Sequence, residues 1–306
     1  MATAFGDYRD KRGIRRGEKF DKYSKKSHIP RHDGSDDPRQ ERLSRGDLQE
    51  IFRDTLEYIA KNGFDKYAKA VKYTNEALGS LALPLLIVPN GPSRAIVQKY
   101  RTDIQVIDSD ILDYCQRAVS LGNAVFVIPG SGKQSGGGVA GGSMAFEEEV
   151  YRRTNINALI DPKFYRLNCD EIIFTPKVRI LRDTKYQYMD IKDQFDIACI
   201  TATCRPHPKI DKDTYSFPED YRMTKQTIHD IFRLAAEKGF NVLLMCAIGC
   251  GVFAHPPNVI CSIINECIRT YGPTYFSHVH VIVKNNKSDL FNMFKGAIVP
   301  LQPLFD

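Results

Sequence analysis

The sequence predicts an α/β fold built around a mostly parallel sheet. Two observations carry that prediction. Apolar runs of strand length alternate with longer segments whose apolar residues recur at helical spacing. Two of the runs, "AVFVI" (124–128) and "NVLLMC" (241–246), also lead into glycine-rich loops that precede helices. Open α/β sheets bind ligands at such loops, outside the carboxyl ends of their strands. With 306 residues and 42% hydrophobic composition, the chain can bury a sizeable core.

Residues 1–45 are expected to be a disordered basic tail, because aliphatic residues are sparse and charges mingle with Gly, Pro and Ser. Residues 1–46 hold 13 Lys/Arg against 8 Asp/Glu, which accounts for +5 of the net charge of +6. The remainder has no basic field of the kind that marks a nucleic-acid-binding fold. The tail is read as solvated, or as an arm that touches RNA, another polyanion or a nuclear-import receptor.

One domain is expected over 46–306, since no linker interrupts it and no internal repeat is found. Order begins near Ser44, where Ser44-x-x-Asp47 reads as a capping box. Leu48, Ile51, Phe52 and Ile59 then follow helical spacing. "LPLLIV" (83–88) and "IQVI" (104–107) read as strands. Ser109 is placed to cap a helix that carries Ile111, Leu112, Cys115, Ala118 and Val119 and stops at Gly122. After "AVFVI" and the glycine loop come "EIIFT" and "VRIL", two short strands, and "DIACITAT" (196–203), a longer one. A helix over 219–238, the strand "NVLLMC", a helix from Val259 to Ile268, the strand "HVHVIVK" and the helix "SDLFNMFKG" complete the chain.

No run of eighteen apolar residues suggests a membrane helix, and the charged N-terminus does not resemble a signal segment. The eight cysteines form no C-x-x-C pair and read as reduced thiols. An intracellular location, cytoplasmic or nuclear, is expected. Cys246, Cys250 and His255 match no standard zinc spacing, so no metal is expected there.

The stretch "GGGVAGGSMAFEEEVYRR" (136–153) carries the chemistry. Five glycines fall within seven positions, and Glu147, Glu148 and Glu149 follow. Glycine lets the backbone approach a ligand so that N–H groups can hold phosphates. A second loop, Gly249-Cys250-Gly251, has the same character, and two such loops suggest a diphosphate gripped from two sides. A P-loop reading of Gly132-Lys133 fails because Gln134 replaces Ser/Thr and Val127 replaces the first glycine. Gly136-x-Gly138-x-x-Gly141 satisfies the dinucleotide fingerprint, with Asp161 twenty residues further on, but "NALIDP" is a poor second strand and the glutamates go unexplained. First-turn acids favour the helix dipole by about 0.3–1 kcal/mol each. Successive helical residues point about 100° apart, so at most two of the three glutamates face the loop. Val150 is expected to turn inward, with Arg152 and Arg153 offsetting charge by i,i+4 pairing. A carboxyl beside a phosphate loop can protonate a glycosidic leaving oxygen and later deprotonate water.

These residues resemble the signature of poly(ADP-ribose) glycohydrolases, three glycines followed by six to eight residues and then Gln-Glu-Glu. The likeness is to the microbial-type branch. "IIFTPKVRILRD", "DIACITATCRPHP" and "CAIGCGVFAHPPNVI" resemble further blocks of that branch in the same order, so the resemblance spans roughly 47–296. It implies a macrodomain-like three-layer α/β/α sandwich with a mixed sheet that binds ADP-ribose, as poly(ADP-ribose) or on modified proteins, and needs no cofactor. By residue matching, Glu148 is the catalytic acid and Glu147 helps place the ribose. Gly136, Gly137 and Gly138 approach the distal ribose and diphosphate. Gly249, Cys250, Gly251 and Val252 form the second phosphate loop, and Phe253 packs against ribose. Glu149 is left as a solvated dipole partner. Phe146 stands where the signature has Gln, and Ser131 is the nearest candidate for a loop Asn that this chain lacks. Two other functions are compatible with these residues: a macrodomain that binds ADP-ribose without cleaving it, and a nicotinamide-dependent oxidoreductase.

Overall fold

A computed structural model describes residues 43–80, 99–284 and 289–300. The tail up to residue 42 and the strand expected at 83–88 lie outside the described residues. The chain enters through α1 (Arg45–Asn62). Ser44 accepts from the Asp47 amide at 3.2 Å while its own amide donates to Asp47 at 2.7 Å, closing the expected capping box. Leu48, Ile51, Phe52, Thr55 and Ile59 form the buried stripe of α1.

The strands are β1 (Val71–Thr74), β2 (Asp103–Ile107), β3 (Ala124–Pro129), β4 (Glu171–Arg179), β5 (Asp196–Ala202), β6 (Ile210–Asp211), β7 (Thr214–Tyr215), β8 (Val242–Cys246) and β9 (His278–Ile282). The remaining helices are α2 (Asn75–Ser80), α3 (Ile111–Leu121), α4 (Phe146–Arg153), α5 (Pro218–Glu237), α6 (Pro257–Tyr275) and α7 (Leu290–Ala297). Among the described residues, seven strands form one sheet in the order β1-β4-β5-β3-β8-β9-β2. β5, β3, β8, β9 and β2 run parallel, whereas β4 is antiparallel to both β5 and β1. β6 and β7 form a separate two-stranded ribbon.

Period-two alternation divides the core between the two faces. On β3, Val125 and Val127 pack with Ile228, Ile231, Ile260 and Ile264 of α5 and α6. Phe126 and Ile128 pack on the opposite face with Leu112, Cys115 and Val150 of α3 and α4. The fold is therefore the macrodomain-like α/β/α sandwich with a mixed sheet. The carboxyl ends of β3, β5 and β8 open on one edge, and the glycine-rich loops sit there.

The local expectations need three corrections. Asp110, not Ser109, caps α3, accepting from the amides of Leu112 and Asp113. "EIIFT" and "VRIL" are not two strands: Glu171–Arg179 is continuous, and a register shift between Thr175 and Val178 absorbs Pro176. The strand β1 and the ribbon β6–β7 were not anticipated. Among the described residues, no helix is long and apolar enough to cross a membrane.

Candidate active site

The first loop leaves β3 with the Gly130 amide bonded to the Ala202 carbonyl at 2.8 Å, so it starts flush with the end of β5. It doubles back through Gly136 (φ 74°) and Gly137 (φ 53°) into a short 3₁₀ turn, Val139–Gly141, that buries Val139. Left-handed backbone of this kind favours glycine. Space demands it as well. A Cβ at Gly136 would lie 2.6 Å from the Tyr151 ring, and one at Gly137 would lie 2.6 Å from Glu148 Oε1.

The glutamates sit in the first turn of α4, which has no side-chain cap. Glu147 is buried and held at both oxygens: Oε2 accepts from the Ser131 amide at 2.7 Å and Oε1 from the Gly136 amide at 3.0 Å. Glu148 Oε1 accepts from the Gly138 amide at 2.7 Å. Glu148 Oε2 has no hydrogen-bond partner among the described residues and is not sealed from solvent. Loop and helix thus form one unit in which three loop amides fix two adjacent carboxyl groups and one oxygen stays free.

That arrangement sharpens the role of the glycines. Three amides near the expected diphosphate are already engaged by carboxyl oxygens. The second loop is different. Gly249 (φ 78°) packs on the His255 ring, which a Cβ would approach to 2.9 Å. The Cys250 amide turns back to the Ala247 carbonyl. The amides of Gly251, Val252 and Phe253 have no acceptor among the described residues, and α6 begins just beyond them. This loop has the free N–H groups that an anion site needs.

His255 holds the second loop in place. Its Nε2–H donates to the Arg205 carbonyl at 2.8 Å, and its Nδ1 then accepts from the Tyr215 hydroxyl at 2.6 Å. Burial lowers its pKa, consistent with this neutral form. Both ring nitrogens are occupied, and no group of three metal-ligating side chains occurs among the described residues. From sequence His255 is weighed only as a metal ligand, and neither Arg205 nor Tyr215 is singled out, although Arg205 stands in the "CRPHP" that follows β5.

A cleft of about 920 Å³ opens on the same edge. Of the predicted residues, Ser131, Val252 and Phe253 line it; the glutamates, Gly136–Gly138 and Gly249–Gly251 do not. Phe146 packs between the two core clusters, as a helix residue on the inner face should.

Three charged residues depart from expectation. Glu149 is not merely solvated: both its oxygens accept from the Tyr186 hydroxyl, at 2.8 and 2.7 Å, and it pairs with Arg152 at 3.1 Å. Arg152 and Arg153 are both buried, and Arg152 keeps only this i,i+3 pair along the helix rather than an i,i+4 one. Arg152 also donates to the carbonyls of Leu48 and Ser143. Arg153 forgoes its i,i+4 partner for Asp110 at 2.8 Å and Asp113 at 2.7 Å. These arginines tie α4 to α1 and α3, so the glutamates stand on a fixed element.

Burial pushes Glu147 up to about 8, with the Ser131 and Gly136 amides opposing and the neighbouring Glu148 adding to the rise. Between its ordinary value of 4.5 and about 8, the folded chain keeps a proton that the unfolded chain loses. Folded stability therefore falls as pH rises through that window. In Glu147→Gln the fall, followed by urea unfolding at a series of pH values, is expected to shrink. An unaltered pH dependence would mean that Glu147 is ionised in the folded state.

Fold and site together define a macrodomain-like chain with a carboxyl pair wired into a glycine loop. Residues 53–183 match the family model described as microbial-type PARG, catalytic domain. The matched segment contains the first loop and both glutamates. The chain is also similar to solved structures. One is poly(ADP-ribose) glycohydrolase from Thermomonospora curvata: 20% identity, 81% of this chain and 98% of that chain covered, TM-score 0.67. Another is poly(ADP-ribose) glycohydrolase from Deinococcus radiodurans in complex with ADP-ribose: 21% identity, 76% and 95% covered, TM-score 0.64. A third is the Thermomonospora curvata enzyme bound to the inhibitor ADP-HPD: 18% identity, 81% and 98% covered, TM-score 0.64. Comparison with curated proteins gives no match. The family resemblance read from the sequence, and the glycohydrolase class it implies, are those of the matched family.

Proposed function

We propose that the chain is a poly(ADP-ribose) glycohydrolase that cleaves ribose–ribose O-glycosidic bonds and releases ADP-ribose, with Glu148 as general acid and then general base. The observation that carries this reading is the accessible Oε2 of Glu148 on a carboxyl group whose other oxygen is fixed by the Gly138 amide. The family match over the same residues supports it. Glu147, anchored at both oxygens, holds the loop and places the ribose.

The diphosphate is held by the amides of Gly251, Val252 and Phe253, with Phe253 against the distal ribose. Glu148 donates its proton to the leaving ribose oxygen as the anomeric C–O bond breaks and an oxocarbenium ion develops. The adjacent diphosphate offsets part of that positive charge. Water then adds to the anomeric carbon and returns a proton to Glu148, so one carboxyl group serves both steps. The substrate is ADP-ribose in polymer or on modified proteins, within the cell, and the basic tail is a candidate for weak contact with polyanionic polymer.

The nicotinamide reading loses its support. The Gly136 and Gly138 amides are given to glutamates, and Asp161 caps a 3₁₀ turn rather than ending a strand. The test is incubation with labelled poly(ADP-ribose). Free ADP-ribose is expected as product. Calorimetric binding of ADP-ribose with no release from polymer would instead make the chain a reader.

A further inference from the structure

We propose that the cleft beside Ser131 is a leaving-group subsite, and that it takes a phosphate-bearing unit, the next ADP-ribose of a polymer, rather than an amino-acid side chain alone. This rests on the glycohydrolase reading. The location comes first. The cleft is lined by the loops that follow β3, β5 and β8, by residues 167–170 ahead of β4 and by Arg222, Met223 and Gln226 of α5, on the edge where Glu148 lies. Ser131 joins the two: its amide binds Glu147 Oε2 at 2.7 Å, and the residue itself lines the cleft. Gly132 lies flat against the cleft wall, since a Cβ there would meet the Leu167 carbonyl at 3.0 Å. Phe253, the proposed ribose platform, closes the other side. A group leaving the anomeric carbon near Glu148 therefore has this cleft beside it.

Size and chemistry then select the occupant. About 920 Å³ accommodates a nucleotide-sized unit and would be mostly unfilled around a single side chain. Lys133, Arg205 and Arg222 line it, against Asp170 as the one carboxylate in the lining. Arg205 is anchored from below: Nη1 donates at 2.9 Å to Asp220, which is 1% exposed while the Arg205 side chain is 56% exposed. Arg222 uses Nε and Nη2 on Glu219 and keeps Nη1 free. Lys133 has no ion-pair partner among the described residues. The carboxylates offset much of the net charge, so what the cleft presents is a set of oriented N–H donors rather than a strong field. Oriented guanidinium forks suit phosphate oxygens.

The experiment compares two substrates in the full chain: short poly(ADP-ribose), and an ADP-ribose glycoside with 4-nitrophenol as leaving group, which puts no phosphate in the cleft. In Lys133→Ala/Arg222→Ala, the ratio of kcat/KM for polymer to kcat/KM for the nitrophenyl substrate is expected to fall roughly tenfold or more, through KM. Both residues are exposed, and a circular dichroism melt checks the fold. The single variant Lys133→Ala should show part of the same loss. An unchanged ratio, with the nitrophenyl substrate still cleaved, overturns the subsite alone. An equal loss on an ADP-ribosylated serine peptide overturns the phosphate assignment in favour of a peptide. Failure of the wild-type chain to release ADP-ribose from either substrate overturns the glycohydrolase reading, and the subsite falls with it.

Discussion

Glu148→Gln is expected to lower the release of ADP-ribose from poly(ADP-ribose) by roughly 10²–10⁴-fold, the range for loss of a positioned acid–base group. Affinity for ADP-ribose should stay within a few-fold of wild type. The amide keeps the shape of the carboxyl group and retains an oxygen that can accept from the Gly138 amide, so the loop need not move. What disappears is the ability to give a proton to the leaving oxygen and to recover one from water. Glu147 cannot substitute readily: both its oxygens are committed to the Ser131 and Gly136 amides. It should also ionise more easily in the variant, because the neighbouring Glu148 charge contributes to its raised pKa. Stability should hold or rise, since a buried carboxyl group has been replaced by a neutral one. Single-turnover assays with ADP-ribose calorimetry separate these effects. Near-wild-type turnover would transfer the acid role to another group.

The sequence pattern located the edge of the sheet that carries the glycine-rich loops, because strand alternation and glycine clusters are local signals. Val125 and Val127 face one layer and Phe126 and Ile128 the other, as period two requires. The Ser44 cap was equally local. What was not legible depended on partners distant in the chain. Arg152 and Arg153 sit where a helix surface is normally solvated, and only the approach of Leu48, Asp110 and Asp113 lets them be buried. Glu149 likewise depends on Tyr186, 37 residues away. Pro176 suggested a break that the sheet absorbs as a register shift. β1 was missed because it is a short edge strand whose pairing to β4, not its composition, defines it. The glutamates were found from the chain, and the family resemblance gave Glu148 and Glu147 their expected roles; what was not legible is which of their oxygens the loop amides reach.

Gly137→Ala should cut activity by about a hundredfold or more while costing only about 1–3 kcal/mol of stability. The backbone at Gly137 is left-handed (φ 53°), which an alanine tolerates with modest strain. Its new methyl would stand 2.6 Å from Glu148 Oε1 and 3.1 Å from Glu147 Oε2. Those atoms are the ends of side chains, so the fold can yield where the chemistry cannot: the carboxyl groups swing aside and the protein stays folded. A displacement of about 1 Å at a reacting group is enough for a loss of that size. Gly141→Ala provides the control. Gly141 lies in the same glycine cluster, has no left-handed φ, and a Cβ there meets nothing within 4 Å. It should leave turnover near wild type. If both variants lose activity equally, the cluster acts through general loop flexibility. If only Gly137→Ala does, the glycine is there to let the backbone close on Glu148, and the distance from that Cα to the carboxyl group sets the rate.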